Sequence, residues 1–147
     1  MNPQQGMYAT LASFGPLQSV AEKIESFRDL QAGWDYGRGV PISENTIQRA
    51  LAWNLILKLL RLPATDASPG SDGEVSIAVG CGDHYFEVIV EADDTISVAY
   101  DFQRKQVFYR LRKTPYEALK LIIEIAGKTS STQRTIRQMN KSLNRFV

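Results

Sequence analysis

The residues able to do covalent or metal chemistry are few. The chain has one cysteine and one histidine, and they fall together in Cys81-Gly82-Asp83-His84. A thiol, a carboxylate and an imidazole within four residues could in principle form a metal site or an activated thiolate. A tetrahedral zinc site wants three or four protein ligands, usually more Cys or His than this sequence owns. A Cys/His nucleophile needs a third group to hold the pair in register. The plainer reading is a hairpin turn, with Gly80 and Gly82 supplying positive φ and His84 opening a strand. Phosphate-binding loops fare no better. Gly127-Lys128-Thr129 resembles the end of a Walker A sequence, but Ile122 stands where its first glycine belongs, and a helix precedes it instead of a strand. Gly37-Arg38-Gly39 and Gly80-Cys81-Gly82 lack the third glycine of a dinucleotide fingerprint, and Asp93-Asp94 suits a hairpin tip. No catalytic residues, metal ligands or cofactor are expected, and the chain is not read as an enzyme.

The least ordinary stretch is GWDYGRGVPIS, residues 33–43. Trp34 and Asp35 are expected to build the loop, the indole plugging the core and the carboxylate bonding to nearby backbone N–H groups. Tyr36 and Arg38 are the expected partner-binding residues, being of the types enriched at binding hot spots.

The second candidate surface is basic. Residues 1–103 carry 6 Lys/Arg against 14 Asp/Glu, whereas residues 104–147 carry 11 against 2, so a net charge of +1 divides into −8 and +9. Such asymmetry sets long-range fields and partner choice without setting the fold. In QRTIRQMNKSLNRFV, Ile136, Met139 and Leu143 share one helical side, and Arg134, Arg137, Lys141 and Arg145 share another. These four cations could meet phosphates or an acidic protein surface.

The elements that must position these residues follow from periodicity. Leu17, Val20, Ile24 and Phe27 recur at three and four, predicting a first helix over 16–31 with Pro16 at its start. A second helix is predicted over 44–62, capped by Ser43, with Ile42 and Ile47 as a hydrophobic staple and Pro63 as its stop. Beyond Ala50 it is apolar nearly all round. It is thus either buried on more than one side or shared with a second copy in a homodimer. PATDASPGSDG (63–73) reads as a mobile loop. Strand periodicity then marks 74–80, 84–92, 95–100 and 106–111, joined by links short enough for antiparallel hairpins. Thr114-Pro115-Tyr116-Glu117 is a capping box opening a helix over 115–126.

The predicted fold class is therefore α+β. Two N-terminal helices, a four-stranded antiparallel meander and one or two C-terminal helices pack on one face as a two-layer sandwich. Residues 1–127 form a single domain and 128–147 a basic amphipathic helical extension. The most apolar run, 50–62, falls short of the roughly 20 residues that span a bilayer. The N-terminus lacks the basic and apolar regions of a signal peptide, and one cysteine fits a reducing compartment, so a cytoplasmic protein is expected.

Gly33-Trp34-Asp35-Tyr36-Gly37, followed by Pro41-Ile42-Ser43 and an apolar helix, resembles a group of small uncharacterised bacterial proteins. Their shared stretch reads approximately Gly-Trp-Asp-Gly-Tyr-Gly, a few residues, then Pro-Ile-Ser. The likeness extends through the Pro63–Gly73 loop into the strands from Glu74 to Tyr100. It implies this architecture and a prokaryotic or phage-like origin, and supplies no reaction. The expected function is a non-catalytic protein-binding module, an inhibitor or antitoxin-like partner from a prokaryote or mobile element that meets another protein with an acidic surface. The alternative is a nucleic-acid binder using the basic 104–147 half.

Overall fold

A computed structural model describes residues 18–128, 138 and 141–145. Five strands form one antiparallel sheet in sequence order, β1 (Asp66–Pro69), β2 (Val75–Cys81), β3 (His84–Val90), β4 (Ile96–Phe102) and β5 (Lys105–Lys113). Helix α1 (Val20–Ser26) runs into a single 3-10 turn (Phe27–Asp29), α2 spans Glu44–Leu59, and α3 spans Pro115–Gly127. The helices form the second layer. α2 lies over β2 and β3, α3 over β4 and β5, and α1 against α2 and β1. This is the α+β meander that the alternating strands imply, with one strand more.

The core is the inward row of each strand. Val75, Ile77 and Val79 stand opposite Val90, Val88 and Phe86, which in turn face Ile96, Val98 and Tyr100. All nine are buried, against Ile24, Ile47, Ala50, Trp53 and Leu57 from α1 and α2 and Ala118, Ile122 and Ile125 from α3. A period of two on the strands and of three to four on the helices produces this interleaving.

The extra strand corrects the reading of 63–73 as a loop. Ala67 pairs with Ile77 and is buried, so one side chain in a polar segment fills the end of the core. Pro69 is tolerated because β1 is an edge strand that pairs on one side only. Helix boundaries also shift. Ser19, whose side chain accepts from Glu22 N at 3.1 Å, caps α1; the expected start at Pro16 lies outside the described residues. α2 ends at Leu59, short of Pro63. Leu62 N donates to Leu57 O and Arg61 N to Lys58 O, with Arg61 at φ +63°, a left-handed cap that closes the helix three residues early. Its start is as expected: Ser43 accepts from Thr46 N at 3.1 Å, and Ile42 and Ile47 are buried. Thr114 likewise caps α3 by accepting from Glu117 N. Leu55 and Leu59 on α2 are exposed, so the sheet does not use all of its apolar surface. Among the described residues no helix is long and apolar enough to cross a membrane.

Candidate functional site

The 33–42 segment folds as a miniature hairpin between α1 and α2. Asp35 and Arg38 exchange both backbone hydrogen bonds, at 2.9 and 2.8 Å. Tyr36 and Gly37 have φ of +50° and +87°, as a two-residue type I′ turn requires. Outside it Gly33 N donates to Gly39 O at 2.8 Å, and Gly37 N to Gly33 O at 2.9 Å. The Trp34 indole closes the structure by donating to Val40 O at 2.9 Å. Val40 N in turn donates to Ser71 O, tying the corner to the β1–β2 turn.

This geometry sorts the sequence candidates. Trp34 does not plug the main core as expected; it is half-buried against its own loop. Asp35 acts through its backbone instead of its carboxylate, because a two-residue turn already satisfies the N–H groups that an Asx turn would serve. Tyr36 is 102% exposed at the tip and Arg38 is exposed beside it, so the corner presents both to solvent.

The basic C-terminal candidates are placed only in part. Lys141 and Arg145 are exposed, one helical turn apart. Leu143, expected on an apolar packing face, is also exposed. Arg134, Arg137, Ile136 and Met139 lie outside the described residues. Nothing in the described geometry joins Lys141 and Arg145 to Tyr36 and Arg38.

A third cluster was not anticipated. Cys81 pairs with His84 across Gly82-Asp83, the expected hairpin turn, but only Gly82 has positive φ, at +59°; Gly80 is an ordinary β2 residue paired with Tyr85. The strand's alternation, however, puts His84 on the same side as Phe86, in line with Tyr100 and Phe102 of β4. His84 Nδ1 lies 2.7 Å from the Tyr100 hydroxyl, and the two rings are within 6° of parallel at 6.0 Å. Phe102 packs at 4.8 Å from the imidazole. Burial raises the Tyr100 pKa, so the phenol stays protonated. A cavity of about 380 Å³ opens here, lined by His84, Tyr100, Phe102, Val107 and Lys128.

A second cleft, of about 470 Å³, lies at the hairpin ends, where His84 is joined by Asp83, Tyr85, Asp101 and Arg104. Gln103 N donates to Asp83 O at 2.8 Å, tying the two hairpins together. The Tyr85 phenol, pushed up to about 12 by burial and by its hydrogen bond to Glu87, is held protonated. The signal for this cluster was present in the strand period, which places His84, Phe86, Tyr100 and Phe102 on one side once the hairpin registers are fixed. Among the described residues no group of three or more His, Cys, Asp or Glu is gathered closely enough to hold a metal ion.

Asp93 and Asp94 sit at the β3–β4 turn, as their sequence suggests. Asp93 accepts from Thr95 N and pairs with Arg112 at 2.6 Å, and Asp94 pairs with Arg49 at 3.1 Å. Opposite charges and a turn amide account for both carboxylates. No protein-family model, no curated protein and no solved structure matches the chain.

Proposed function

We propose that the chain is a non-catalytic protein-binding module, an inhibitor or antitoxin-like partner of a bacterial or mobile-element protein, with the Asp35–Arg38 turn as its contact element. One observation carries this reading. A tyrosine holds a left-handed conformation, which costs a non-glycine residue about 1–2 kcal/mol, and spends it on full exposure at the tip of a braced turn. Core packing gains nothing from that arrangement. A rigid aromatic beside an arginine suits a pocket on an acidic protein surface.

The test is affinity capture from a bacterial host with wild-type protein and a Tyr36→Ala/Arg38→Ala variant in parallel. A stoichiometric protein held by the wild type and lost by the variant is the expected result. No partner under any condition, or equal retention by both forms, rejects the reading. A second reading, nucleic-acid binding by the basic half, draws on the exposure of Lys141 and Arg145. It requires retention on DNA or RNA that falls steeply with salt, and a flat salt titration excludes it.

A further inference from the structure

We infer that the cavity bounded by His84, Tyr100, Phe102, Val107 and Lys128 is a binding site for a small planar aromatic anion, independent of the protein-contact turn. The volume, about 380 Å³, lies within the roughly 300–1,000 Å³ typical of small-molecule sites. Its lining has the matching composition, three ring systems and one aliphatic side chain with few polar groups. The imidazole and phenol rings are nearly parallel, and the Phe102 ring is tilted 34° to the imidazole. A flat ring entering this space can meet faces and edges at the 4.5–7 Å separations that aromatic pairs prefer.

Charge selects an anion. Lys128 places its ammonium 5.7 Å from the Tyr100 ring centroid and pairs with no carboxylate among the described residues. The Tyr100 hydroxyl, kept protonated, can donate to His84 Nδ1, which leaves Nε2–H as the donor the imidazole has to offer. None of the described lining residues is acidic. The other cleft is of mixed charge, with the carboxylates Asp83 and Asp101 beside Arg104. The same histidine thus borders two spaces, and of the two only this one is free of carboxylates among its described lining residues. Exposure of Phe102 and Val107, apolar residues at the mouth of the cavity, fits a surface that a ligand covers.

The sole histidine of the chain gives an unambiguous reporter. The imidazole proton resonances are followed by NMR while the full-length protein is titrated with 2-naphthoate, and separately with 2-naphthylmethylammonium. The expected result is a saturable shift with the carboxylate and at least about tenfold weaker binding of the ammonium, the size of one charged hydrogen bond. Lys128→Met should remove that preference, and Val107→Glu, at an exposed position that tolerates a polar residue, should abolish carboxylate binding with the fold intact. The site is rejected by an absence of saturation at millimolar carboxylate, by equal affinity for both probes, or by a shift that survives Lys128→Met unchanged.

Discussion

Trp34 and Gly39 are in such close approach that a Cβ on residue 39 would lie 2.7 Å from the indole Nε1. The nitrogen it would strike is the one that donates to Val40 O. Gly39 also has φ +90°, so the position excludes a side chain both by conformation and by space. Gly37, two residues earlier at φ +87°, has nothing within 4 Å of its hypothetical Cβ. The two glycines separate strain from clash. Gly37→Ala should cost about 1–2 kcal/mol through backbone strain alone. Gly39→Ala should cost about 2–3 kcal/mol, because the Trp34–Val40 hydrogen bond, worth about 1 kcal/mol, is lost as well. Urea denaturation of both variants checks the order, and equal losses would contradict the packing described.

The same turn ties stability to binding. Tyr36→Asn replaces a residue strained at φ +50° by one that tolerates the left-handed region. Stability should rise by about 0.5–1 kcal/mol while affinity for a protein partner falls. The pair of measurements is a denaturation curve and a binding isotherm. A variant that loses stability would remove the argument that the tyrosine is kept there against the preference of the backbone.

Acid should loosen the junction between α1 and α2. Arg28 in the 3-10 turn donates to the Glu44 carboxylate at 2.8 and 2.9 Å, and Gln48 donates to it as well. The Arg28 hydrogen bonds are the largest cause of a Glu44 pKa lowered to about 2. A carboxylate whose folded value is depressed contributes stability above its unfolded pKa and loses that contribution as pH falls through the folded one. The stability difference between wild type and Glu44→Gln should therefore be constant near neutrality and shrink between about pH 4.5 and pH 2. The pair is exposed to solvent, so its effect should also weaken in high salt. A difference that does not change with pH would mean the ion pair contributes nothing.

Legibility of the sequence followed the strength of local signals. Ser43, Thr114 and Pro115 mark helix starts because a cap is a local event that one side chain completes. The strands 75–81, 84–90 and 96–102 follow from an alternation that matches a half-buried sheet. β1 was not visible, because Asp66-Ala67-Ser68-Pro69 has low strand propensity and owes its extension to pairing with β2. Gln103 and Arg104 were hidden for a related reason. They form a two-residue turn at φ +52° and +62° without a glycine, so the strands on either side run further than turn composition suggests. At the site, Tyr36 and Arg38 could be picked by residue type. The His84 cavity needed more: the strand period puts His84, Tyr100 and Phe102 on one side, but only the register of β3 against β4 and the place of Val107 and Lys128 bring them around one space.

The end of α2 shows the same limit and can be tested. Pro63 is the obvious stop, yet Arg61 at φ +63° ends the helix first, and Leu62 folds back to be 1% exposed while Leu59, three residues earlier, is 73% exposed. Arg61→Gly should stabilise the protein by up to about 1 kcal/mol, because glycine occupies that cap without a Cβ penalty. Leu62→Ala should cost about 2–5 kcal/mol, as a buried leucine truncation does, whereas Leu59→Ala should stay within about 0.5 kcal/mol of wild type. Denaturation midpoints for the three variants decide the matter. If Leu59→Ala proved as costly as Leu62→Ala, the outer face of α2 would be covered in solution, and sedimentation equilibrium would show whether a second copy of the chain covers it.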